Sequence, residues 1–144
     1  MAREISQFQF DHSPIESSPT LVAVLPPGIK TKGALLDELY RRLSFPDYFG
    51  FNWDALVDCL RDLSWLPTGP VVLLHRDLPL AGDIDSQKTY LSILRDTIEK
   101  RGELPGGMRF RDLVVVFPPD TQGRVASLLR LVNRDEAARQ RSTP

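Results

Sequence analysis

The sequence has 144 residues but only one cysteine and two histidines, and it contains no long apolar run. The single cysteine, Cys59, excludes an internal disulfide and any CxxC redox or zinc motif. With only His12 and His75 beside it, a closed Cys/His metal site is not expected. Apolar runs such as 113–117 fall far short of the roughly 20 residues that span a bilayer. The sequence therefore predicts a soluble protein without a metal or cofactor, in a reducing compartment.

The composition is typical of an ordinary soluble domain. Apolar residues make up 42% and charged residues 26% of the chain, so a sizeable core can form. Residues 1–9 are mostly polar and lack the apolar segment of a signal peptide. We therefore expect one domain, located in the cytoplasm.

Charge is unevenly distributed along the chain, although the net charge is only −1. Residues 47–62 contain four aspartates and one arginine. Phosphate contacts need Lys and Arg, so an acidic surface here argues against nucleic acid as the direct ligand. The arginines near the end of the chain, such as Arg130 and Arg139, leave two interpretations open, an RNA contact or a solvated helix end.

The pattern of apolar residues predicts an α/β fold. Short apolar runs bounded by Pro and Gly are typical of buried strands, and apolar residues three or four apart are typical of helices. Strands are predicted at 21–25, 71–74 and 113–117, and helices at 31–43, 53–63, 86–101 and 121–140. This order indicates a small three-stranded parallel sheet packed with helices. Phe8 and Phe10 alternate with glutamines, which fits either a short edge strand or a loosely held leader.

The helix predicted at 53–63 has a polar face centred on two aspartates. Asn52 is a suitable N-cap for it, and Gly50 is expected to adopt a backbone conformation that other residues resist. On a helical wheel the core stripe consists of Leu56, Cys59, Leu60 and Leu63. The opposite face carries Asp54, Asp58, Arg61 and Asp62, and the border carries Trp53 and Val57.

Spacing alone leaves two interpretations of this polar face. Asp54 and Asp58 are like charges four residues apart, an arrangement that costs an isolated helix roughly 0.2–0.5 kcal/mol. Aromatic residues at positions 48, 49, 51 and 53 lie beside them in the sequence. The face is either a solvated charged surface over an aromatic core, or a binding surface for a cationic partner with aromatic anchors.

Three other groups of residues could form functional sites, but none of them is predicted to do so. Asp83 and Asp85 resemble a metal-binding pair, but no third ligand stands near them in the sequence. His75 follows a predicted strand and is interpreted as a structural histidine rather than a catalytic base. Cys59 lies on the core stripe, where a small buried hydrophobic residue is its expected role.

Residues 45–60 (FPDYFGFNWDALVDCL) combine the aromatic turn, the N-cap and both aspartates in one motif. The order Pro, acidic, Tyr, aromatic, Gly, any, Asn, any, Asp, Ala, Leu, any, Asp, Cys, Leu is matched at every fixed position. This motif resembles the signature of the barstar-like family of ribonuclease inhibitors. The resemblance extends more weakly over 21–117, as the core of a single domain 1–144. Residues 1–20 are then an N-terminal extension, and residues 120–144 an extra C-terminal helix and tail.

The resemblance implies inhibition by plugging. In that family the tyrosine and the two aspartates of the motif enter the active site of a ribonuclease and take the place of the RNA phosphates. Carried over by motif position, these residues are Tyr48, Asp54 and Asp58, and Asp96 corresponds to a further acidic residue on a later helix. The complete predicted partner-binding set is Tyr48, Phe49, Gly50, Asn52, Trp53, Asp54, Val57, Asp58 and Asp96.

Departures from the family pattern bear on the choice of partner. Val57 stands where the family pattern has tryptophan, and Trp53 stands where it has leucine. The resemblance therefore implies a bacterial immunity protein or antitoxin for a basic ribonuclease other than barnase, acting as a monomer that forms a 1:1 heterodimer. The alternative is a non-inhibitory interaction or regulatory module that binds another basic protein. An enzyme using Asp54 and Asp58 as an acid/base pair is not expected, because an open helix face does not separate two carboxyl pKa values.

Overall fold

A computed structural model of the chain describes residues 8–10, 21–66, 69–101 and 113–142. Within these segments the elements are β1 (Phe8–Gln9), β2 (Leu21–Leu25), α1 (Lys32–Arg42), α2 (Trp53–Asp62), β3 (Val71–His75), α3 (Ile84–Arg101), β4 (Leu113–Val116), a 3-10 turn (Pro119–Thr121) and α4 (Gln122–Ser142). Residues 1–7 and 11–20 of the predicted N-terminal extension lie outside the described residues. The predicted α/β class and the C-terminal helix are confirmed.

The strands form one parallel sheet in the order β1-β4-β3-β2. The register places Val71 of β3 beside Leu21 of β2 on one side and beside Leu113 of β4 on the other. Strand β3 is therefore central, and its first three residues are buried. A strand flanked on both edges and buried on both faces is expected for a short apolar run without polar alternation.

The sheet has four strands rather than the three predicted, because Phe8–Gln9 pairs with β4. The backbone N–H of Phe117 donates to the carbonyl of Gln9 at 2.8 Å. The Phe8 ring is buried and meets the Phe117 ring edge-on, with 5.4 Å between centroids. The edge-strand interpretation of this segment is thus correct, although two residues are too short for a reliable signal in the sequence.

Helix α3 begins at Ile84, two residues before the predicted start. The reason is Asp83, whose carboxylate accepts a hydrogen bond from the backbone N–H of Ser86 at 3.1 Å. Its backbone carbonyl also accepts from the N–H of Gln87 at 2.9 Å. Asp83 therefore caps the helix. Among the described residues, no group of three His, Cys, Asp or Glu side chains is placed to hold a metal ion.

His75 lies inside the core at the end of β3. Its Nδ1–H donates to the carbonyl of Val116 at 2.9 Å, and its Nε2 accepts from the Tyr90 hydroxyl at 2.7 Å. Its ring also stacks on Phe117 with 4.1 Å between centroids. Burial lowers the pKa of His75 to about 4. A neutral imidazole with both nitrogens bonded is a structural residue, as the sequence indicated.

None of the helices in the described part of the chain is both long enough and apolar enough to cross a membrane.

Candidate functional site

The N-terminus of α2 is joined to the preceding loop by the side chain of Asn52. Asn52 is the N-cap, with extended backbone angles of φ −140° and ψ 173°, and its Oδ1 accepts from the N–H of Ala55 at 2.8 Å. Its Nδ2 donates to the carbonyl of Gly50 at 3.4 Å. One amide side chain therefore holds both the first turn of the helix and the loop, as the motif predicted for its N-cap.

The residue with a left-handed backbone in this loop is Phe51, with φ of 52°, and not Gly50 as expected from the sequence. Gly50 serves a different purpose. A Cβ atom added to it would stand 3.3 Å from Nδ2 of Asn52, which is tighter than an ordinary contact. The missing side chain therefore makes room for the Asn52 amide.

Helix α2 separates its two faces as the helical wheel predicted. The core stripe of Leu56, Cys59, Leu60 and the C-cap Leu63 is buried. The opposite face of Asp54, Asp58, Arg61 and Asp62 is exposed. Trp53 and Val57 are partly buried and pack against the core from the border between the faces.

Asp54 and Asp58 have no internal partner in the part of the chain that the structure describes: no basic side chain forms an ion pair with either carboxylate. The negative charge of this face also acts on the core side of the helix, through Asp58 and Asp62. Burial first, and then the charges of Asp58 and Asp62, raise the pKa of the Cys59 thiol. The face thus presents unneutralised carboxylates, and Cys59 behaves as a buried thiol rather than a nucleophile.

The aromatic residues of the loop divide between surface and core. Tyr48 is 74% exposed and Phe51 is 47% exposed, whereas Phe49 is only 4% exposed. Phe49 packs against Phe45 and Phe51, with centroids 4.9 Å and 4.8 Å away. Its ring faces the core, so a direct partner contact through this side chain is not expected, contrary to its place in the predicted set. Phe49 instead supports the exposed ring of Phe51 from the core side.

Trp53 has a positive charge over its ring. The Nζ atom of Lys32 lies 5.2 Å from the ring centroid, a cation–π distance. This contact joins the first residue of α1 to the first residue of α2. One face of the Trp53 ring system is thereby occupied within the chain.

Asp96 is placed on α3, a helix that packs against α2. Unlike Asp54 and Asp58, its carboxylate is already paired, because the Arg95 guanidinium donates to it at 3.1 Å and 3.2 Å. The same guanidinium reaches Asn133 at 2.7 Å and Glu136 at 3.1 Å on α4. Asp96 is half-exposed, and its partner Arg95 is in turn bonded to α4, a helix far along the chain.

Two features of this region were not in the predicted contact set. Phe51 lies inside the motif, but at a position that the family pattern leaves free, so its exposure has no signal in the pattern. Glu136 is 41 residues from Arg95, and no local periodicity connects them.

A comparison with protein-family models gives the same family as the motif. A model of the family described as Barstar (barnase inhibitor) matches residues 21–113, which is more than half of the chain. The chain therefore belongs to the barstar family, and this confirms the resemblance found at residues 45–60. A comparison with curated proteins gives no significant match. At the level of the family, the function is that of a ribonuclease inhibitor, and β1 and α4 lie outside the matched region.

Proposed function

We propose that this protein inhibits a basic ribonuclease by inserting the acidic face of α2 into the active site, as an immunity protein or antitoxin in the cytoplasm. The observation that carries the proposal is the pair Asp54 and Asp58, exposed and without an internal ion-pair partner in the described chain. A ribonuclease binds RNA phosphates with Lys, Arg and His side chains. Carboxylates on a rigid helix offer these cations the same charge and cannot be cleaved.

The geometry around the pair supports a preformed surface. Asn52 joins Gly50 of the loop to the first turn of the helix, so the loop backbone keeps its position relative to the carboxylates before the partner arrives. Binding to a preorganised surface loses little conformational entropy. Asp96 adds a third carboxylate from α3, while Trp53 and Val57 supply apolar area at the border. Because these two residues differ from the family pattern, we propose that the partner is not barnase itself.

The same observations argue against catalysis by the pair. Both carboxylates lie on an exposed helix face. Enzymes that use two carboxyl groups as acid and base place them in environments that move their pKa values apart. An exposed helix face is not an enclosed environment of that kind, so we propose a binding protein, in a single domain that forms a 1:1 complex.

The test is capture followed by an activity assay. The tagged protein is used to capture its partner from the native cells, and the released partner is assayed on RNA with increasing amounts of inhibitor. We expect the captured protein to cleave RNA and its activity to be abolished at one equivalent. A partner without ribonuclease activity would instead support a non-inhibitory interaction module.

Charge variants then test the mechanism. Asp58→Asn should weaken partner affinity at least about 30-fold, which corresponds to roughly 2 kcal/mol for a binding hot spot. Asp37→Asn is the matched control, because Asp37 is an exposed aspartate on α1 already paired with Arg41 at 3.0 Å. If both Asp54→Asn and Asp58→Asn bind as tightly as this control, insertion of the α2 face is wrong.

A further inference from the structure

Phe51 combines two features that other residues of the described chain show only separately. It has a left-handed backbone with φ of 52°, and it exposes 47% of a large apolar side chain. A left-handed backbone is unfavourable for a bulky residue, and exposure of an apolar ring gains nothing in water. The other non-glycine residues with positive φ are Ser44, Leu63 and Leu80. Both leucines are fully buried, and the serine is small and polar.

The Phe51 ring is held in place from one side. Its centroid lies 4.8 Å from that of Phe49 and 5.1 Å from that of Tyr40, both in tilted arrangements. Phe49 is itself buried, and the Tyr40 hydroxyl donates to Asp47 at 3.4 Å. The exposed side of the ring is thus presented from a packed aromatic support, in the way that rigid aromatic anchors are presented in binding sites.

The two residues on either side of Phe51 are joined by a hydrogen bond. Gly50 accepts from the Asn52 side chain at 3.4 Å, and Asn52 caps the helix that carries Asp54. The ring is therefore fixed relative to the first turn of α2. A strained and exposed aromatic residue next to an acidic helix face indicates a function for the ring outside the folded chain.

We propose, on the basis of the proposed inhibition, that Phe51 occupies the surface with which the ribonuclease holds a nucleobase, next to the phosphate site taken by the α2 carboxylates. Proteins that act on single-stranded RNA hold bases by stacking them on aromatic rings or on Arg guanidinium planes. The Phe51 ring has the flat apolar faces that such a surface accepts. The ring has no hydrogen-bond donors or acceptors. It can therefore stack on the surface that holds the base, but it cannot bond to the groups that recognise the edges of the base. Phe51 is then a residue that selects among ribonucleases.

The first test separates binding from folding. Phe51→Gly removes the ring and also relieves the left-handed strain, so we expect the melting temperature to stay within a few degrees while partner affinity falls at least tenfold. Ser44→Gly relieves the same kind of strain at an exposed residue with φ of 53° and should leave affinity unchanged. Phe51→Tyr should retain affinity, whereas Phe51→Leu should lose it. Wild-type affinity in Phe51→Gly and Phe51→Leu would overturn the proposal.

Kinetics distinguish Phe51 from the carboxylates. Because the ring is uncharged, Phe51→Gly should raise the dissociation rate and leave the salt dependence of association unchanged. Asp58→Asn should reduce that salt dependence. If Phe51→Gly binds normally while Asp58→Asn does not, the role of Phe51 is wrong and the proposed inhibition stands. If neither variant weakens binding, the inhibition model itself fails.

A free nucleoside serves as a probe of the base site. Added to the ribonuclease at saturating concentration, it should weaken binding of the wild-type inhibitor and leave the residual binding of Phe51→Gly unchanged. Equal effects on both proteins, or no effect on either, would show that the ring does not occupy the base site.

Discussion

The guanidinium of Arg95 on α3 lies 3.1 Å from the Glu136 carboxylate on α4 and 3.1 Å from the Asp96 carboxylate beside it. Arg95 is buried, whereas the side chains of both acidic residues are 42% exposed. One buried cation therefore serves two half-exposed anions. Helix α4, outside the region matched by the family, thus orients a carboxylate proposed to bind the partner.

Glu136→Ala should lower the free energy of unfolding by about 1 kcal/mol, because a charged partner of a buried guanidinium is lost from a partly exposed position. The control is Asp135→Ala, which breaks the 2.8 Å ion pair with Lys88 between the same two helices without touching Arg95. Urea unfolding measures both variants. We expect only Glu136→Ala also to weaken partner binding, through the altered Arg95–Asp96 pair, and equal binding by the two variants would contradict this role.

Asn52→Ala should lower the free energy of unfolding by about 1 kcal/mol, the usual cost of a lost N-cap, and should also weaken partner binding. Thr31→Ala is a matched control, because Thr31 caps α1 through a 3.1 Å bond to the N–H of Ala34. It should lose comparable stability and keep its affinity. Calorimetry on both variants checks the prediction, and equal losses of affinity would show that Asn52 has no special role in the binding loop.

Stability should fall in mild acid because of His75. Its pKa is lowered from 6.5 to about 4 in the folded protein, so the unfolded chain binds the proton first as pH falls. The stability present above pH 6.5 is lost progressively down to about pH 4, a change of about 3 kcal/mol at 1.36 kcal/mol per pKa unit.

Urea unfolding of wild-type protein and His75→Leu between pH 7 and pH 5 isolates this contribution. The range from pH 7 to pH 5 lies above the titration of the Glu38 and Asp135 carboxyl groups. Their pKa values are lowered mainly by hydrogen bonds to Arg42 and Lys88. Their stabilising effect is lost at lower pH. Equal pH slopes for wild type and variant would contradict a buried neutral imidazole.

Phe8→Ala should lower the free energy of unfolding by about 3 kcal/mol, the scale for removing a buried phenylalanine ring. Gln9→Ala, at the exposed neighbouring position of β1, should change it by less than about 0.5 kcal/mol. Thermal and urea unfolding compare the two variants. A small and equal effect of both substitutions would mean that β1 does not contribute to the fold in solution.

The sequence determined most of what depends on short distances along the chain. The buried stripe and the acidic face of α2 follow from helical periodicity, and Asn52 is recognisable as a cap because it binds a residue three positions away. The motif at 45–60 carried the family, which the match over 21–113 confirms. Local rules of this kind need no knowledge of the tertiary fold.

Inside the loop, the left-handed backbone belongs to Phe51 and not to Gly50, where the sequence predicted it. A Cβ atom at Gly50 would instead crowd the nearby Asn52 amide. Backbone angles in a loop depend on tertiary contacts, and the Phe51 ring packs against the rings of Phe49 and Tyr40. The exposure of Phe51 could not be predicted from its position in the motif.

The tertiary structure alone decided the contacts between distant segments. β1 joins the sheet because Phe8 lies beside Val115, more than a hundred residues away. Arg95 meets Glu136 only because α3 and α4 pack side by side. The physical reason is that pairing and packing energies belong to two surfaces at once, whereas a sequence pattern describes only one of them. Periodicity therefore identified the acidic face of α2, and the fold determined which residues support and extend it.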